Sequence, residues 1–160
     1  MIVVADTGPL NYLIQIGVVD VLKPLYAQVL IPQTVADELQ REKAPAAVQA
    51  WIARFPQWLE IRSDPPSDPT LQLLDPGEAA ALALAEAVRA DEVLIDDWAG
   101  RTEAERRHLH VTGTLGVLAE AHLAGLLNFD AALDKLSSTN FRLSPAVEVM
   151  VRRRLSSGSR

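Results

Sequence analysis

The sequence predicts an α/β protein: a three-layer α/β/α sandwich around a central parallel sheet of about five strands. Three observations predict it. Ile2-Val3-Val4-Ala5 is a short apolar run closed at once by the turn cluster Asp6-Thr7-Gly8-Pro9, as expected of a strand buried on both faces. Val29-Leu30-Ile31 and Val93-Leu94-Ile95 are runs of the same kind. Helix-period segments long enough to serve as crossovers lie between them, so the strands run parallel with helices on both faces.

The elements follow in order. Leu10, Leu13 and Ile14 mark a short helix ended by Gly17, and Val18 to Tyr26 a second one interrupted at Pro24. After the strand at Val29, Pro32 opens a helix to about Glu42, with Val35, Ala36 and Leu39 on one face. Ala46 to Phe55 is amphipathic through Val48, Trp51 and Ile52, and Trp58 to Ile61 reads as a strand nearer the sheet edge. Ser63 to Pro69 holds three prolines and is a loop. Asp75-Pro76-Gly77-Glu78 starts an alanine-rich helix to about Ala90, with Glu78 in the first turn where the helix dipole favours an acid. Arg101 to His108 forms a polar helix and His110-Val111 a short strand. Helices then run from Leu115 to Leu126, from about Asp130 to Leu136, and from Pro145 to Leu155.

At 160 residues the chain is expected to be one domain over 1–155, with 156–160 a disordered tail. It has no basic leader and no run of 18 apolar residues, which argues against a signal peptide and a membrane span. Cysteine is absent, so disulfides and thiolate metal sites are excluded, in keeping with a cytoplasmic protein. The net charge of −6 argues against a general nucleic-acid coat.

The acids carry the chemistry. Asp6 ends the first strand, and Asp96 and Asp97 end the strand at Val93. Glu38 lies on the helix after the second strand, and Glu78 begins the helix that feeds the third. Parallel strands send their carboxyl ends to one edge, where open α/β sheets place ligands. Each acid alone is also accounted for as a cap, a turn residue or a solvated helix residue. Together, bare carboxylates about 4 Å apart repel by roughly 4 kcal/mol at an effective dielectric near 20, so a cluster shares protons or binds a cation. All-oxygen ligation suits Mg²⁺ or Mn²⁺, ions that activate water and clamp an in-line phosphoryl displacement. Metal-dependent phosphodiester hydrolysis is the function these residues predict.

Val3 to Leu10, Val29 to Pro32 followed by Val35-Ala36-Asp37-Glu38-Leu39, Asp75 to Ala79, Val93 to Arg101, and Thr112 to Gly116 together resemble the PIN-domain ribonucleases, in particular the DUF3368 group. The resemblance runs from residue 2 to about 150. It implies Mg²⁺- or Mn²⁺-dependent, single-strand-specific cleavage of RNA, with a single-stranded or structured RNA as substrate. It also implies a toxin of a VapBC-like toxin–antitoxin pair, held by a small antitoxin and commonly a homodimer. By motif, Asp6, Glu38, Glu78 and Asp96 or Asp97 would be the metal-binding acids, with Thr7 and Thr114 in support. Many relatives carry Asp where Glu78 stands, and Ile95 replaces a threonine that would favour Asp97, so Asp96 competes with it. The alternative is a catalytically inactive PIN-like module for binding or assembly.

Arg101, Arg106 and Arg107 are candidate RNA contacts, set against a solvated helix face. Arg152-Arg153-Arg154 reads first as a solvated terminal helix, Trp51 and Trp58 as core, and Trp98 as a surface on which a base could stack. Leu13, Ile16 and Leu22 are offered as a dimer face. Asp6-Thr7-Gly8 is also the aspartic-protease triplet, but that fold is nearly all β and needs two. Thr112 to Gly116 lacks the Gly-Lys-Ser/Thr of a P-loop. His108, His110 and His122 make no zinc set without a cysteine or a third nearby histidine.

Overall fold

The computed structural model describes residues 1–158. Five strands form one sheet: β1 (Ile2–Ala5), β2 (Gln28–Pro32), β3 (Leu59–Arg62), β4 (Glu92–Leu94) and β5 (Val111–Thr112). The order is β3-β2-β1-β4-β5 and every pairing is parallel, with Val3 opposite Val29, Val4 opposite Val93 and Leu94 opposite Thr112. The chain winds outward from β1 in one direction and resumes on its other side at β4. The carboxyl ends of β1 and β4 therefore flank the topological switch point, where a crevice opens.

Nine helices are described: α1 (Thr7–Gln15), α2 (Leu22–Leu25), α3 (Gln33–Leu39), α4 (Ala46–Ala53), α5 (Pro76–Ala87), α6 (Trp98–Arg106), α7 (Thr114–Leu123), α8 (Phe129–Ser137) and α9 (Pro145–Gly158). Side-chain alternation along the strands divides the core in two. Val3, Ala5, Val29, Ile31 and Leu94 pack with α1, α3, α4, α7 and α8 on one face. Val4, Leu30, Val93 and Ile95 pack with α5 and Ala104 of α6 on the other. Trp51 and Trp58 are half-buried against the first cluster, their rings 6.0 Å apart.

Several boundaries differ from expectation. Helix α3 stops at Leu39 rather than Glu42, and the chain turns through residues 40–44 before α4. α1 ends where Gly17, at φ +76°, donates to Ile14 O while Val18 donates to Leu13 O, the paired bonds of a left-handed helix stop. α9 continues through Ser156 and Ser157 to Gly158, so the expected tail is helical up to there, and residues 159 and 160 lie outside the described residues. Leu13, Ile16 and Leu22 are buried within the first cluster and offer no dimer face. They face the sheet and the neighbouring helices, and it is residues such as Lys23 and Pro24 that meet solvent. No helix among the described residues is long and apolar enough to cross a membrane.

Candidate metal centre

The acids gather at the carboxyl edge of β1 and β4. The backbone N–H of Asp6 still donates to Leu94 O at 2.9 Å, so β1 stays paired with β4 up to the residue that bears the carboxylate. Asp6 then turns the chain into α1 and is 7% exposed; Glu78, in the first turn of α5, is 5% exposed. Burial, with the charges of Glu78, Glu38 and Asp96 adding to it, pushes the Asp6 carboxyl up to about 8 against the opposing Thr7 backbone hydrogen bond. Burial likewise takes Glu78 up to about 7, with the charges of Asp97, Asp75 and Glu38 adding to it. These neighbours place Asp96 on the Asp6 side of the cluster and Asp97 on the Glu78 side.

Asp96 is the most firmly held acid. Its Oδ1 accepts from the Thr114 backbone N–H at 2.7 Å and its Oδ2 from the Thr114 hydroxyl at 2.6 Å. Burial still raises its carboxyl, while these bonds and the Arg101 charge lower it. Asp97 is exposed and caps α6, accepting from Ala99 N–H at 3.2 Å. The two neighbouring acids thus have different surroundings. Asp96 is braced against β5 and α7 facing Asp6, and Asp97 caps a helix at the rim. Glu38 accepts a hydrogen bond from the Thr7 hydroxyl. Thr7 and Thr114 therefore both donate hydrogen bonds to acids of the cluster.

Glycines make the close approach possible. A Cβ at Gly77 would stand 2.5 Å from Glu38 Oε2, and one at Gly113 would stand 2.8 Å from both Asp96 Oδ1 and Arg101 Nη1. Without side chains at these points, α3 and α6 bring their polar groups onto the first turns of α5 and α7.

All five acids line one open groove of about 1660 Å³, together with Arg101, Trp98 and Thr7. Arg101 donates from Nη1 to Ile95 O at 3.2 Å. Arg106 and Arg107, also offered as RNA contacts, do not line this groove. Arg107 is tied to Glu103, Glu86 and Asp68, and Arg106 to Glu103. Arg106 ends α6 with its side chain largely exposed, and Arg107, just past the helix, turns to Glu86 of α5 and to Asp68. The groove also holds residues that sequence reasoning missed. Asp75 adds its charge against Glu78. Tyr12 donates to Asn140 Oδ1 at 3.0 Å and meets the Phe141 ring edge-on at 5.0 Å, joining α1 to the segment before α9. Arg41, Lys43 and Arg142 lie along the same groove. An acid directly before Pro76 was a visible signal for Asp75; no local pattern marks the others.

Over residues 2–157 the chain matches the family described as PIN domain, DUF3368. The chain belongs to this PIN-domain family. PIN domains are a nuclease-type family. A search of curated proteins finds no match. Among solved structures, the chain is similar to a PilT N-terminus domain protein, SSO1118, from the hyperthermophilic archaeon Sulfolobus solfataricus P2. The TM-score is 0.52 at 11% identity, covering 90% of this chain and 100% of that one. At that identity the likeness shows a shared fold: the parallel sheet with helices on both faces.

The donor set of this PIN domain suits a hard divalent cation of the kind PIN domains typically use. Every candidate ligand is a carboxylate oxygen, and the two most buried acids favour the proton when no cation is present. Among the described residues no three acidic or histidine side chains close on one point at ligating distance. The five acids line the groove around Asp6 and Glu78.

Proposed function

We propose that this PIN domain is a metal-dependent endoribonuclease that cleaves phosphodiester bonds of single-stranded RNA, acting as the cytoplasmic toxin of a VapBC-like pair under a small antitoxin. The observation that carries the reading is the burial of Asp6 beside Glu78 at the switch point of the sheet, open to a groove. Two carboxyls there are stable only with protons or a cation between them. Asp6 and Glu78 are the residues to hold Mg²⁺ or Mn²⁺, with Glu38, Asp96 and Asp97 around them. The ion would supply charge neutralisation at the phosphate and a water made more acidic. The protein's own part is positional. Thr114 fixes the Asp96 carboxylate, Thr7 orients Glu38, and Arg101 offers positive charge beside the acids.

The test is cleavage of an unstructured RNA with Mn²⁺ or Mg²⁺ by the wild-type protein and by Asp6→Asn. Cleavage by the wild type that is lost in the variant supports the reading. Equal cleavage by both, or none by either, defeats it.

A further inference from the structure

The groove extends well past the acids, and five basic side chains line it. Among the described residues, Arg62, Arg106, Arg107, Arg152 and Arg154 all sit in ion pairs with carboxylates. Of the five basic side chains lining the groove, only Arg154 does; Arg41, Lys43, Arg101 and Arg142 have no such pair among the described residues. Among the described residues Lys23, Arg54, Arg89, Lys135 and Arg153 also lack such a pair, so what sets these four apart is that they share one groove with the acids.

Topology puts them on two sides of Asp6. Arg41 and Lys43 lie in the turn after α3, which follows β2 on one side of β1. Arg101 is on α6, which follows β4 on the other side, and Arg142 precedes α9, which packs on α7 beyond β5. Tyr12 lies between: its hydroxyl feels the negative charge of Asp96 and the positive charge of Arg142. Trp98, 78% exposed, stands at the rim beside Asp97.

We propose that single-stranded RNA lies along this groove with its phosphates held by Arg41 and Lys43 on one side of the acids and by Arg101 and Arg142 on the other, so that the backbone crosses the acidic cluster between them. This rests on the nuclease reading for the class of substrate and adds the path. Two separated cation pairs fix the register of a flexible chain, because a strand engaging both must present the phosphodiester between them to Asp6 and Glu78. Tyr12 and Trp98 give unpaired bases flat faces to stack on, which a duplex would not use.

The test uses the full-length Asp6→Asn protein, which binds without cutting, and a short fluorescent oligouridylate followed by anisotropy across a salt series. Each lost phosphate contact lowers the slope of log affinity against log salt by about 0.7 for a single strand. The expected results are a slope lower by about 1.4 in Arg41→Gln/Lys43→Gln, lower by about 0.7 in Arg142→Gln, and unchanged in Arg106→Gln. Unchanged slopes in the first two, an equal loss in Arg106→Gln, or no binding by the Asp6→Asn parent would overturn the path. Salt-sensitive binding through these residues, with no cleavage by the wild type, would sustain the path and defeat the nuclease reading.

Discussion

Replacing Asp6 with asparagine should stabilise the metal-free fold in a pH-dependent way. Asparagine keeps the size of the side chain and removes its charge. In the folded protein the Asp6 carboxyl is pushed from 3.8 up to about 8, chiefly by burial. Between those values the folded state keeps a proton that the unfolded chain has released. Stability therefore falls as pH rises through that window and has lost the whole contribution above about pH 8. The interval converts to about 6 kcal/mol at most, and relaxation with water entry leaves about 2–3 kcal/mol. For a chain of this size that corresponds to a melting point about 4–12 °C higher for Asp6→Asn at pH 9, with the gap shrinking toward pH 5. The assay is thermal melting of both proteins in EDTA across that range. Adding Mn²⁺ should then close the gap and, at about a thousandfold excess over Kd, reverse the order, because only the wild type gains from binding, by about 4.1 kcal/mol there. A variant that melts below the wild type at pH 9 in EDTA, or a gap that does not change with pH, would refute the account of Asp6 as a buried, cation-seeking acid.

Three further outcomes follow from the same geometry. Gly77→Ala should displace the Glu38 carboxylate, since the new Cβ would stand 2.5 Å from Oε2. Alanine also gains up to about 1 kcal/mol of helix propensity, so the melting point should hold or rise while Mn²⁺ affinity, read by titration calorimetry, falls; unchanged affinity would count against Glu38 as part of the centre. Thr114→Val removes the hydroxyl bond to Asp96 Oδ2, one of the influences lowering that carboxyl, so carbon-detected NMR of the metal-free protein should show Asp96 titrating at higher pH than in the wild type. Arg107→Ala leaves Asp68, Glu86 and Glu103 without their shared cation and should lower the melting point by several degrees while leaving oligouridylate affinity unchanged; a selective loss of RNA binding would restore Arg107 to the RNA path.

The sequence by itself determined the sheet and the acids. Apolar runs of three or four residues ended by turn clusters mark strands buried on both faces, and this is a local signal. A parallel sheet then carries Asp6 and the Asp96-Asp97 step to one edge whatever the details of packing. Glu38 and Glu78 were legible because each lies within two helical turns of a strand end or a helix start. Only the tertiary structure decided how the acids divide their tasks and which cations stand beside them. Arg106 and Arg107 are near the acids in sequence, but Arg106 pairs with Glu103 and Arg107 turns to Glu86 and Asp68. Tyr12 and Asn140 are 128 residues apart and meet only because α9 folds back over α7. Strand and helix periods act over a few residues, whereas the walls of the groove are made by segments that touch after the whole chain has packed. The acid edge can therefore be read along the chain, and the path leading to it can be read only across the fold.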